Sequence, residues 1–165
     1  MYGRANEAPL SGRKCAYYYI HVEQQVSSGK NSHWKTVVEE EVAGNFVIQD
    51  GNHCALIDTA KMKSYIVQDR KYSSGTFHDA EERLENYLNA KGSKSTGLLG
   101  FNKTMRYKEG ILEPGELIAV TGKGRWKHTE RTDIPAPYGK ILVLMDDGKK
   151  PVYLSDDPDT VKAKG

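Results

Sequence analysis

Lys14-Cys15-Ala16-Tyr17-Tyr18-Tyr19-Ile20-His21-Val22-Glu23-Gln24-Gln25-Val26 is the stretch that decides the fold. It holds no Gly or Pro and is rich in aromatic and β-branched residues, which suit a pleated, half-buried backbone. Ala16, Tyr18, Ile20 and Val22 fall on one side at a period of two; Cys15, Tyr17, Tyr19, His21 and Glu23 fall on the other. That period predicts a strand and not a helix. Residues 27–32 (SSGKNS) form a turn, and residues 33–42 (HWKTVVEEEV) read as the antiparallel return, with Trp34, Thr36 and Val38 sharing a face.

Working outward, Phe46-Val47-Ile48 and Ala55-Leu56-Ile57 flank Asp50-Gly51-Asn52-His53, and Asp-Gly between apolar runs predicts a hairpin. Residues 63–69 add a weaker strand. The period then changes: in 79–91 (DAEERLENYLNAK), Ala80, Leu84, Tyr87 and Leu88 share one helical face. Asp79 serves as N-cap with Glu82 three residues on, and Gly92 supplies the stop. β-structure resumes at 104–107 and 117–121 around Glu113-Pro114-Gly115-Glu116, a type II turn signature, and 125–129 continues it. Residues 141–145 and 152–154 read as a last hairpin around Asp146-Asp147-Gly148. These elements predict a mostly β (α+β) fold: a small OB-like or similar partly open β-barrel over 14–155, with an insertion at about 72–102 carrying one α-helix at about 79–91. Residues 1–13 are expected to be an extended lead-in, and 156–165 a flexible tail.

At 165 residues the chain fits one domain, and its formal charge of only +2 favours neither nucleic acid nor acidic membrane through the whole-molecule field. Cys15 and Cys54 are too few for a secreted disulfide framework and read as reduced, buried thiols. No apolar run has the length of a membrane span or the form of a signal peptide, so the chain reads as soluble.

The constellations of enzymes are missing from the sequence. There is no nucleophile elbow, zincin helix, P-loop or dinucleotide fingerprint, and Gly122-Lys123-Gly124 opens no helical pattern. His21, His33, His53, His78 and His128 are scattered, none at ligand spacing from a Cys or another His. His53 and Cys54 are neighbours on one strand and point to opposite faces, which argues against a base–nucleophile pair. Glu39-Glu40-Glu41 and Asp146-Asp147 read as a solvated strand end and a turn. The expectation is a chain with no catalytic residue, no metal and no cofactor.

One region suggests a contact surface. Between 91 and 108 every charged side chain is positive: Lys91, Lys94, Lys103, Arg106 and Lys108. They bracket Leu98, Leu99 and Phe101, large apolar residues set among glycines. Such a segment fits an anionic bilayer, apolar tip inserted and lysines at the headgroups. It also fits a groove on a protein partner; alternatively its apolar residues fold back to plug the barrel. Nucleic acid is not the expected partner, although Tyr17 and Tyr19 would offer a stacking platform if the barrel were an OB-like single-strand binder.

Pro9-Leu10-Ser11-Gly12-Arg13-Lys14-Cys15-Ala16-Tyr17-Tyr18-Tyr19, followed by Val22-Glu23, resembles the opening of the GIDE, or "beside-a-membrane" (BAM), domain of membrane-anchored mitochondrial and chloroplast RING ubiquitin ligases and their prokaryotic relatives. The resemblance runs on through Trp34, residues 46–51 (FVIQDG) and 55–58 (ALID). It returns at 106–116 (RYKEGILEPGE) and 120–122 (VTG), and closes at Tyr153-Leu154-Ser155, so it covers most of the chain. P-L-S-G-x-x-C-x-Y-Y and E-x-x-L-x-P-G-E together are its specific motifs. It implies a non-catalytic, membrane-proximal module that contacts protein, lipid or both, in a full-length protein anchored to a membrane. A docking domain for a substrate or partner of a ubiquitin-ligase-like complex is the alternative it implies. The eight Cys/His ligands of a RING are absent from this sequence, so ubiquitin transfer is not carried over to these residues.

Overall fold

The computed structural model describes residues 5–67, 70–73, 78–92, 104–130, 136 and 139–162. The chain is mostly β with few helices, as the alternation predicts, and its sheets are not closed into a barrel. The framework is a sheet built on β3 (Tyr17–Ser28), which lies between β4 (Asn31–Ala43) and β9 (Met105–Leu112), with β8 (Arg70–Ser73) beyond β9. All three pairings are antiparallel. The central place of β3 follows from its sequence, because both of its faces carry large side chains that need cover.

On one face Ile20 and Val22 join Met105, Tyr107 and Leu10 beneath Leu84 and Leu88 of α1 (His78–Ala90). Burying each leucine contributes about 2 kcal/mol. The helix begins one residue before the expected cap, so position 79 lies inside its first turn. On the other face Tyr17 enters a second core with Phe46, Ile57, Leu112, Val152 and Leu154.

The shared face expected for Trp34, Thr36 and Val38 is broken by a bulge. Val22 stands opposite Val38 while Glu23 stands opposite Thr36, leaving Val37 as the extra residue. Val38 therefore faces the helix, and Trp34 and Thr36 face away.

Two further sheets cover the second core. One has the order β11 (Lys123–His128), β12 (Lys140–Met145), β6 (His53–Ile57), β5 (Phe46–Asp50). The β5–β6 hairpin turns through Gly51 at φ 55, a left-handed conformation that glycine adopts without strain. The other has the order β10 (Ala119–Thr121), β13 (Val152–Ser155), β7 (Met62–Tyr65). The hairpin expected around Asp146-Asp147-Gly148 does not form: β12 lies parallel to β6 and β13 parallel to β7, in different sheets. Asp146 and Asp147 instead accept the N–H groups of Gly148, Lys149 and Lys150, shaping a crossing between sheets.

From residue 5 onward the lead-in packs into the fold. β1 (Asn6–Glu7) pairs with β2 (Lys14–Cys15), and Ala8 and Leu10 are buried. Glu109, 1% exposed on the helix-covered face of β9, accepts the N–H of Leu10 at 2.8 Å and of Ser11 at 3.1 Å. Arg13 meets Glu113 at 2.9 Å. Gly12 has φ 68, and a Cβ there would lie 2.5 Å from the Arg83 guanidinium of the helix. At the other end, part of the expected tail forms α2 (Pro158–Lys162), where Thr160 Oγ1 donates to Asp157.

Replacing Glu109→Ala should leave both N–H groups without their charged acceptor and cost about 3 kcal/mol. Glu109→Gln, which keeps one acceptor oxygen, should cost about half as much. Thermal unfolding monitored by circular dichroism checks the ranking; an unchanged Tm for Glu109→Ala would refute the clasp.

Candidate interaction surface

Of the residues expected to form a contact surface, Lys94, Leu98, Leu99, Phe101 and Lys103 lie outside the described residues. The other three are not brought together. Lys91 follows the helix that covers one face of the β3 sheet, whereas Arg106 and Lys108 alternate with buried Met105, Tyr107 and Glu109 and so point from the opposite face. Lys91 bonds to Glu40 and stands 5.6 Å from the Tyr87 ring centroid. Arg106 grips Glu23 through both carboxylate oxygens, at 2.5 and 3.0 Å, and stacks 4.3 Å over Trp34. Lys108 stands beside His21 in register. Two of the three cations are therefore spent inside the fold.

Glu40 is the hub that seats the helix. Its Oε1 accepts the hydroxyls of Tyr18 and Tyr87, each at 3.0 Å, and its Oε2 takes Lys91. Burial opposes its ionisation, but the hydrogen bonds from Lys91, Tyr87 and Tyr18 together outweigh that and hold the carboxyl below the usual range. Burial and the Glu40 carboxylate push both phenols upward. Glu23 is likewise held low by the Arg106 hydrogen bonds. The middle glutamate of Glu39-Glu40-Glu41 is thus a structural anchor. Alternation on a strand was the available signal, since it separates Glu40 from Glu39 and Glu41, but the face covered by a helix from residues 78–90 was not legible locally.

The stacking platform is not formed. Tyr17 is 1% exposed, and its hydroxyl accepts the Ser64 hydroxyl at 2.7 Å. Tyr19 donates to Glu39 at 3.1 Å, and burial with that carboxylate raises its pKa to about 12. Cys15 is buried among core residues, and burial together with nearby Glu109 and Glu113 pushes its thiol to about 11, far from a nucleophile's range. Cys54 is partly exposed on β6 in another sheet. Among the described residues no three His, Cys, Asp or Glu gather as a metal site, and no helix is long and apolar enough to cross a membrane.

The outward-facing large apolar side chains lie elsewhere. Register places Thr121, Tyr153 and Lys63 on one face of the β10-β13-β7 sheet, with Ser155 and Tyr65 following on the same face. The opposite face, carrying Val120, Val152, Leu154 and Met62, packs into the second core. Tyr153 is 48% exposed although it sits on the middle strand, and Tyr65 and Val67 are exposed as well, whereas Ser155 at the end of the strand is buried. Leu117 and Trp126 complete the exposed set, at 79% and 67%, next to the two end strands of the β11-β12-β6-β5 sheet.

No protein-family model, curated protein or solved structure matches this chain.

Because Glu40 titrates lower in the folded state than the ordinary value of about 4.3, its stabilisation is complete above that pH and is lost as pH falls through it. Glu40→Gln should cost about 1 kcal/mol at pH 7 and make the stability curve shallower between about pH 5 and pH 3. Urea unfolding across that window reads both effects; parallel curves for the two proteins would exclude Glu40 as the titrating anchor.

Proposed function

We propose that this chain is a non-catalytic, membrane-proximal interaction module of the GIDE type, and that its contact surface is the outer face of the β10-β13-β7 sheet. The observation that carries the reading is the solvent-facing Tyr153 on a middle strand, with Tyr65 and Lys63 beside it. A middle strand is normally covered on both faces or bears polar side chains on the open one. Tyrosine suits a boundary that is apolar on one side and wet on the other, and lysine can lay its stem on such a surface while its ammonium reaches water or a headgroup.

The non-catalytic part is supported by where the reactive groups are used. Glu109, Glu40 and Glu23 hold backbone, helix and strand partners, and Cys15 is a buried core residue. The membrane-proximal part rests on the resemblance. Its two motifs meet in the fold, since Glu109 of the second receives the Leu10 and Ser11 N–H groups of the first.

Flotation with vesicles of phosphatidylcholine and phosphatidylserine tests the reading. Wild-type protein should float with the anionic vesicles, and Tyr65→Ala/Tyr153→Ala should reduce the floated fraction severalfold. Leu98→Asp/Leu99→Asp reports separately on the glycine-flanked segment. If the wild type stays at the bottom of the gradient, lipid is excluded and a protein partner on the same face becomes the reading to pursue.

A further inference from the structure

The β11-β12-β6-β5 sheet ends in two strands of opposite character. β11 is exposed at all six residues and carries Lys123, Arg125, Lys127 and His128 around Trp126, with no acidic residue. Arg125 and Lys127 form no ion pair among the described residues. Its outer edge is the end of the sheet, so its outward backbone groups have no strand partner among the described residues.

At the far end, β5 borders a groove of about 550 Å³. Its floor includes Phe46, Ile48 and Leu112; the opposite wall is the 113–118 segment, with Leu117 at its rim. The charged side chains lining it are Asp50, Glu113 and Glu116, with no cation. Glu113 already faces Arg13, whereas Asp50 forms no ion pair among the described residues. A groove walled by an open strand edge, apolar within and acidic at the rim, is shaped for an extended, cationic segment.

The same chain carries such a segment. Strand directions also match: β11 is antiparallel to β12, β12 parallel to β6, and β6 antiparallel to β5, so the two end strands run the same way. A second copy set beside the first in the same orientation extends the sheet through a parallel β5–β11 pair. Twofold arrangements are opposed by charge, because they set cationic β11 against itself or the acidic groove against itself. We propose that copies of this chain associate head to tail, the β11 edge of one lying along β5 in the groove of the next. Trp126 and Leu117 are the exposed apolar groups this contact covers. A contact of one short strand is small and partly electrostatic, so it is weak and salt-sensitive. The inference is independent of the lipid reading, which concerns another sheet.

Sedimentation velocity over a concentration series tests it, with two variants confined to exposed residues: Arg125→Ser/Trp126→Ser/Lys127→Ser on β11, and Asp50→Lys/Leu117→Lys at the groove. Both should keep the wild-type circular dichroism spectrum. At about 50 mM salt the wild type should grow beyond a dimer as concentration rises, and about 1 M salt should reverse the growth. Each variant alone should remain monomeric. An equimolar mixture of the two should form a one-to-one dimer and stop, since one intact edge remains on each partner. A wild type that stays monomeric at low salt, a variant that still self-associates, or a mixture that stays monomeric or grows past the dimer overturns the proposal.

Discussion

The Glu109 carboxylate sits on the helix-covered face of β9 with almost no solvent contact, and its two oxygens accept the N–H groups of Leu10 and Ser11. Burying a carboxylate is costly unless it is fully hydrogen-bonded, so this pair of bonds fixes the turn at Leu10 and Ser11 against β9. With that turn in place, Leu10 enters the core beneath the helix and Ala8 packs with Cys15 and Ile111. The Arg83 guanidinium then lies over Gly12, whose φ of 68 is a left-handed conformation that glycine adopts without strain. The seat of the helix and the path of the N-terminal segment are therefore one arrangement.

The motifs shared with the GIDE resemblance take on a physical meaning here. Glu109, Leu112, Pro114, Gly115 and Glu116 of the second motif and Leu10, Ser11 and Gly12 of the first act on one another: a buried acceptor, its donors, and turns that hold both in position. Such residues specify a framework. Among the described residues this framework leaves uncovered the tyrosines of one sheet face and two end strands of unlike charge.

Charge is distributed by the same logic. Arg106, Lys91 and Arg13 each neutralise a carboxylate of the fold. β11 is the contrasting case, since Arg125 and Lys127 face solvent from a strand without an acid.

Much of the local structure was legible in the sequence. Alternation along 14–26 announced β3, Asp50-Gly51 its hairpin, Glu113-Pro114-Gly115-Glu116 its turn, and the spacing of Leu84, Tyr87 and Leu88 the helix. These signals depend only on neighbours a few residues apart, which backbone periodicity and turn chemistry govern. The tertiary structure alone decided that β12 and β13 part into different sheets, that a bulge at Val37 turns Val38 toward the helix, and that Arg106 and Lys91 emerge on opposite sides. It also placed Glu109 against residues nearly a hundred positions away and opened a groove beside β5. Strand order, register and which face a helix covers are set by packing between distant segments, and no local pattern carries that information.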